Sequence, residues 1–214
     1  MREQVIKMIE EKKIIAIVRG FYDEECLGLA RALHAGGVDL MECTFDQESA
    51  EERQRTVDTI RLLVKEMGDE MCIGAGTVTT VEMVELTKQA GGQFVVSPNT
   101  DEAVIRATVA ADLVSIPGAL TPTEIKFAKN CGGDFIKVFP ACNMGLGYFK
   151  NIHAPLSDCK LLAVGGVTEK DAKDYMAAGC YGVGVAGCLF KKDWVKEGKW
   201  DLITECSKVL MATL

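Results

Sequence analysis

The chain is poor in several residue types, and each shortage excludes something. It has 214 residues but only two histidines, His34 and His153, and none of its nine cysteines forms a C-x-x-C pair. A zinc or iron–sulfur centre lacks its usual ligand spacing. No apolar run approaches the length of a membrane span. Basic residues are not in excess: 24 Lys and Arg stand against 31 Asp and Glu, for a net charge of −7. Non-specific nucleic-acid binding is therefore not expected. No Ser/Pro/Gly-rich linker or low-complexity tract divides the chain, so a single compact domain spanning residues 1–214 is expected. The start, "MREQVIKMIEEKK", is charged and amphipathic, which reads as an N-terminal helix rather than a signal peptide. Many cysteines, such as Cys43, Cys72 and Cys180, sit in apolar runs as small buried hydrophobes. Free thiols in that number predict a reducing, cytoplasmic setting.

What is abundant is a rhythm. Short apolar runs recur at 14–18, 38–44, 70–77, 93–98, 112–118, 134–140, 160–166 and 181–187. Each is too short for a typical helix and rich in Val or Ile, so each predicts a buried strand. The gaps carry helical period. "DEECLGLARALHAGG" opens on acids and closes on glycines, as a capped helix does. The stretches at 80–92, 100–111, 121–133 and 168–180 start with Thr close to an Asp or Glu, an N-cap pattern. Eight alternating units predict a (β/α)₈ TIM barrel in the α/β class. The alternative, an open doubly wound sheet, normally carries a Gly-rich phosphate fingerprint after its first strand, and "VRGFYDEE" is not one.

One residue interrupts the pattern. Between Phe135 and Pro140, five of six residues are apolar and the sixth is Lys137. Strand side chains alternate, so an inward Lys137 shares its face with Phe135 and Phe139. By the same rule Glu42 sides with Leu40 and Thr44, and Arg19 with Ile17 and Ile15. Thr77 ends the third strand. A barrel would bring all four to one mouth. A lysine between phenylalanines should lose basicity. Its neutral amine can attack a carbonyl to form a Schiff base. Glu42 can move protons, and Arg19 can grip a substrate carboxylate with a forked pair of hydrogen bonds. The plainer readings remain open: Lys137 and Glu42 as a structural ion pair, Arg19 as a strand-end cap, and Thr77 as turn chemistry. So do two other functions, a phosphate-binding barrel isomerase or epimerase, and a non-catalytic barrel that binds a keto acid or sugar phosphate.

The pieces "GGVDLMECTF", "IGAGTV", "VVSPN", "IPGALTPTE", "IKVFPA" and "AVGGV", in this order and spacing, resemble the 2-keto-3-deoxy-6-phosphogluconate (KDPG) aldolases. These are also called 4-hydroxy-2-oxoglutarate (KHG) aldolases. The resemblance covers nearly the whole chain. It implies a class I aldolase, generally trimeric, that works on a 2-keto-4-hydroxy acid, releases pyruvate and needs no metal or organic cofactor. Lys137 would be the Schiff-base lysine and Glu42 the general acid/base. Thr77 and Pro98 would line the pyruvate pocket, with Phe139 as its apolar wall. Gly165, Gly166, Gly187 and Cys188 would form the phosphate end. Two departures stand out. Many members carry an arginine where Asp46 stands, and the related galactonate-derived enzymes use an arginine of an "ILRG" stretch instead, which "IVRG" resembles. That transfers the carboxylate role to Arg19. Cys188 replaces a serine that often touches phosphate, and a thiol donates hydrogen bonds poorly.

Overall fold

In the computed structural model, which describes residues 2–214, helices alternate with parallel strands in a nearly closed barrel. The strands are β1 (Ile14–Val18), β2 (Leu40–Thr44), β3 (Cys72–Gly76), β4 (Phe94–Val96), β5 (Val114–Ile116), β6 (Gly118–Ala119), β7 (Ile136–Val138), β8 (Leu161–Val164) and β9 (Gly182–Val185). Each expected strand is present, but the fifth is split in two. Pro117 has no N–H for the ladder, so the strand breaks there. β5 pairs with β4 and β6 pairs with β7, so the chain itself closes the ring. The Pro117 carbonyl still accepts the Lys137 amide at 2.9 Å.

The helices are α1 (Arg2–Lys12), α2 (Asp23–Ala35), α3 (Ala50–Met67), α4 (Val81–Gln89), α5 (Glu102–Ala110), α6 (Pro122–Cys131), α7 (Ala141–His153), α8 (Ala172–Ala177), α9 (Lys192–Lys196) and α10 (Trp200–Met211). Thr80 and Thr121 cap their helices as expected, Thr121 in a full capping box with Glu124. Two threonines do something else. Asp101 caps α5, while the Thr100 hydroxyl donates to the Gly118 carbonyl at 2.7 Å. Thr168 closes a turn on the Asp171 carboxylate before α8 begins.

Strand alternation produces two cores. Outward residues such as Met41, Ile73, Val95, Ile136 and Val183 pack against the helices. Inward residues fill the barrel: Ile15, Leu40, Cys72, Phe94, Val114, Phe135 and Leu162, then Val96, Ile116 and Val164. Val5 and Ile9 of α1 join this inner core and plug the barrel's N-terminal end. Arg2–Asp134 and Lys160–Glu10 ion pairs tie the plug to its rim. The filled lower barrel leaves polar inward positions only near the C-terminal mouth.

Candidate active site

At that mouth lies a cleft of about 350 Å³ lined by Arg19, Glu42, Thr77, Pro98, Lys137, Phe139, Gly165, Gly166, Gly187 and Cys188. The structure therefore brings all ten sequence-derived candidates to one cavity. Ile17, Val164, Val167, Thr168, Gly184, Val185 and Ala186 also line it. Sequence reading did not single these out. Most are apolar residues indistinguishable from core, and Thr168 reads as a helix cap. A neighbouring groove of about 410 Å³ runs from Pro98 and Phe139 past Leu120 to Phe127. Glu124, the one carboxylate on it among the described residues, is held below its usual pKa by the Thr121 amide of the capping box and the neighbouring Leu120 amide. The buried ionisable pair with shifted pKa values lies in the smaller cleft.

Lys137 is 7% exposed and Glu42 only 2%. β2 and β3 run in register with Glu42 beside Gly74 and Thr44 beside Gly76. A Cβ on Gly76 would strike the Glu42 Oε1 atom, so that glycine makes room for the carboxyl. Beneath it lies an apolar floor of Ile15, Ile17, Val96, Ile116, Leu162 and Val164. Burial pushes the Glu42 pKa up to about 7, against the opposing pull of Lys137 and Arg19. Burial also lowers the Lys137 pKa, Arg19 adds to that, and Glu42 opposes it. Among the described residues no salt bridge joins Glu42 to Lys137. Each is thus held nearer neutrality than it would be in water. The Phe139 ring centroid lies 4.9 Å from Lys137 Nζ. Gly165, at φ +95°, lets that ring approach: a Cβ there would sit 3.0 Å from it.

Arg19 reaches across the mouth and donates to Thr77 Oγ1 at 2.8 Å. Thr77 has φ +56°, a left-handed conformation unusual for a β-branched residue. Such residues cost about 1–3 kcal/mol and persist where their surroundings impose them. Asp46, at the family's arginine position, does not line the cleft. Its carboxylate accepts the Ser49 and Glu48 amides at 2.6 and 2.8 Å, which hold its pKa below the usual range.

At the other end of the cleft, Gly166 has φ +76°, and nothing stands within 4 Å of where a Gly187 Cβ would be. The backbone can therefore meet a ligand closely there. Burial raises the Cys188 thiol to about 11, with Glu169 and Asp171 adding to the rise. It stays a neutral, weak donor. Among the described residues no Lys or Arg other than Arg19 and Lys137 lines the cleft.

A buried, weakened amine facing a carboxyl poised near neutrality, at the C-terminal mouth of a (β/α)₈ barrel, is the equipment of a carbon–carbon lyase working through an imine. The comparisons with known proteins agree. The family model "KDPG and KHG aldolase" matches residues 5–206, and the chain belongs to that family. It is 35% identical over 179 residues to the 2-dehydro-3-deoxy-6-phosphogalactonate aldolase of Escherichia coli K12, covering 83% of this chain and 84% of that protein. Its identity to the KHG/KDPG aldolase of the same organism is 32% over 189 residues, covering 86% and 84%. Among solved structures, the KDPG aldolase of Legionella pneumophila superposes with a TM-score of 0.85 at 26% identity, covering 98% of both chains. In that structure pyruvate is captured as a covalent carbinolamine.

Proposed function

We propose that this aldolase cleaves a 2-keto-3-deoxy-6-phosphohexonate into pyruvate and glyceraldehyde 3-phosphate, through a Schiff base on Lys137. The observation that carries the reading is the pair of buried, oppositely shifted groups, Lys137 and Glu42, facing one cleft. The neutral Lys137 amine adds to the C2 carbonyl, and loss of water leaves an iminium. Glu42, directly or through water, takes the proton of the 4-hydroxyl. The C3–C4 bonding electrons move into the iminium, leaving an enamine, and the aldehyde departs. Protonation at C3 by the Glu42 acid and hydrolysis then release pyruvate and regenerate the amine. Thr77 and Pro98 bound the pyruvyl end, and Arg19 holds its carboxylate in the role of the arginine absent at position 46. Phosphate rests on backbone N–H groups near Gly165, Gly166 and Gly187. The slightly higher identity to the Escherichia coli phosphogalactonate aldolase than to its KHG/KDPG aldolase supports weighing the galactonate-series epimer equally with the gluconate one. 4-Hydroxy-2-oxoglutarate, which would give pyruvate and glyoxylate, is the unphosphorylated alternative.

The assembly proposed is a homotrimer, following the habit of the family. The exposed Phe127 beside the neighbouring groove suits burial against a second copy. A cytoplasmic setting fits nine unpaired cysteines. Among the described residues no helix is long and apolar enough to cross a membrane.

Borohydride reduction in the presence of pyruvate, read by intact mass, tests the reading directly. One covalent pyruvyl adduct per chain is expected, absent in Lys137→Met. Full adduct formation in that variant would refute the assignment. Assaying both phosphohexonate epimers beside 4-hydroxy-2-oxoglutarate then ranks the substrates.

A further inference from the structure

Asp46 and the two residues after it have no place in the chemistry above, yet the turn they form is tightly built. The Asp46 carboxylate fixes the Glu48 and Ser49 amides, and the Gln47 carbonyl accepts Arg53 Nη1 from α3 at 3.1 Å. The turn so fixed aims the Gln47 side chain at the loop after β3. Both ends of its amide are used there. Nε2 donates to the Thr77 carbonyl at 2.9 Å, and Oε1 accepts the Thr79 hydroxyl at 2.7 Å. These are the bonds that would hold Thr77 in its left-handed conformation. The other polar end of Thr77, Oγ1, carries the Arg19 guanidinium at 2.8 Å. The chain of contacts runs Thr79–Gln47–Thr77–Arg19, from a surface turn to the cleft.

We propose that Gln47 is a positioning residue for the substrate carboxylate, acting through Thr77 on Arg19. A β-branched residue left free of such bonds returns to negative φ. That rotation would carry the Thr77 hydroxyl away from Arg19, whose long side chain would then sample several rotamers instead of one. A guanidinium held in place loses less freedom when a carboxylate arrives, which is the usual gain from preorganisation. The amide is suited to the task because it donates and accepts at once. A carboxylate at 47 could accept from Thr79 but would repel the Thr77 carbonyl. The proposal rests on the reading of Arg19 as the carboxylate anchor.

Steady-state cleavage of the phosphohexonate by Gln47→Met, Arg19→Leu and the double variant provides the test. Gln47→Met keeps the length of the side chain and removes both polar ends. It is expected to raise KM roughly tenfold, as when one charge-assisted contact is loosened, with kcat within about twofold of the parent. Gln47→Glu should match or exceed that effect. In the Arg19→Leu background, Gln47→Met should add nothing, because the group it positions is gone. Thermal midpoints should stay close to the parent in all three variants. The pyruvate concentration needed for half-maximal borohydride trapping should rise with KM, while trapping at saturating pyruvate still reaches one adduct per chain. A fall in kcat and thermal midpoint together, or equal effects of Gln47→Met in both backgrounds, would mean a structural role and overturn the proposal. If Arg19→Leu raises KM and Gln47→Met does not, Gln47 alone is misassigned. If Arg19→Leu leaves KM unchanged, the carboxylate reading fails and the positioning role fails with it.

Discussion

A carboxyl and an amine both prefer water, and this barrel denies it to each. The Glu42 pKa of about 7, set by its apolar floor, has consequences for rate and for stability. In its proposed role as the base in cleavage, Glu42 would have to be ionised, so kcat/KM should climb as pH rises through about 7 and then level. Glu42→Gln should remove that limb and cut turnover by about 10²–10⁴-fold, the usual worth of general acid–base catalysis. Under the proposed mechanism pyruvate trapping in that variant should continue at a reduced rate, since Lys137 would still form the imine. For stability, the folded carboxyl binds its proton more tightly than the unfolded one, whose ordinary value is 4.5. Between 4.5 and about 7 the native state carries the extra proton, so stability falls as pH rises through that window. Denaturant titrations of the parent should show the decline, roughly 1–3 kcal/mol, and Glu42→Gln should lack it. A parent stability that is flat there would mean water reaches the carboxyl. Cys188 makes a separate case. Its thiol donates weakly, so Cys188→Ser should improve, or leave unharmed, the use of the phosphorylated substrate while pyruvate affinity is unaffected. Equal losses on phosphorylated and plain substrates would mark it as packing.

Individual strands and helices place these groups by register. β2 and β3 align Thr44 with Gly76, and the absent side chain of Gly76 is the space the Glu42 carboxyl uses. Gly76→Ala should therefore yield a folded barrel with displaced Glu42. Turnover should drop by about tenfold or more, short of the roughly 10²–10⁴-fold that full loss of an acid–base group costs, while trapping by pyruvate persists. Normal turnover would show that the carboxyl has other room. α1 acts at the opposite end. Ile9 is fully buried beneath the inner core. Ile9→Ala should cost about 2–5 kcal/mol by leaving a cavity at the barrel floor. Because the mouth lies at the other end of the barrel, kcat at moderate temperature should hold. Loss of stability and turnover in parallel would mean that the plug and the site are coupled.

For the molecule as a whole, charge decides how strongly phosphate is preferred. The net charge is −7, and at the glycine end of the cleft Glu169 and Asp171 lie near enough to influence Cys188. In the proposed phosphate site, backbone dipoles would have to offset this without help from a nearby lysine or arginine of that loop pair. Preference for the phosphorylated aldehyde over its plain counterpart should be moderate, about ten- to a hundredfold in kcat/KM, and should weaken as salt is raised. No preference at all would favour 4-hydroxy-2-oxoglutarate or another plain keto acid as the substrate.

The sequence by itself determined the barrel, because apolar runs of strand length alternating with capped helices leave few ways to bury both faces of a parallel sheet. It also singled out Lys137, because an amine inside such a run is costly unless it has a use. Strand alternation put Glu42 and Arg19 on the same inner surface as Lys137. Other features were not written locally. Pro117 marked a strand end in the sequence, but only ring closure shows it dividing one strand between two partners. Asp46 marked in the sequence only the place of a missing arginine, and the fold spends its carboxylate on two backbone amides. Gln47 carries no pattern at all: its two partners lie 30 and 32 positions away, and hydrogen bonds across that distance depend on where two loops end. Tertiary structure alone also set the Glu42 carboxyl near pH 7, since desolvation depends on the walls contributed by β1, β4, β5 and β8 together.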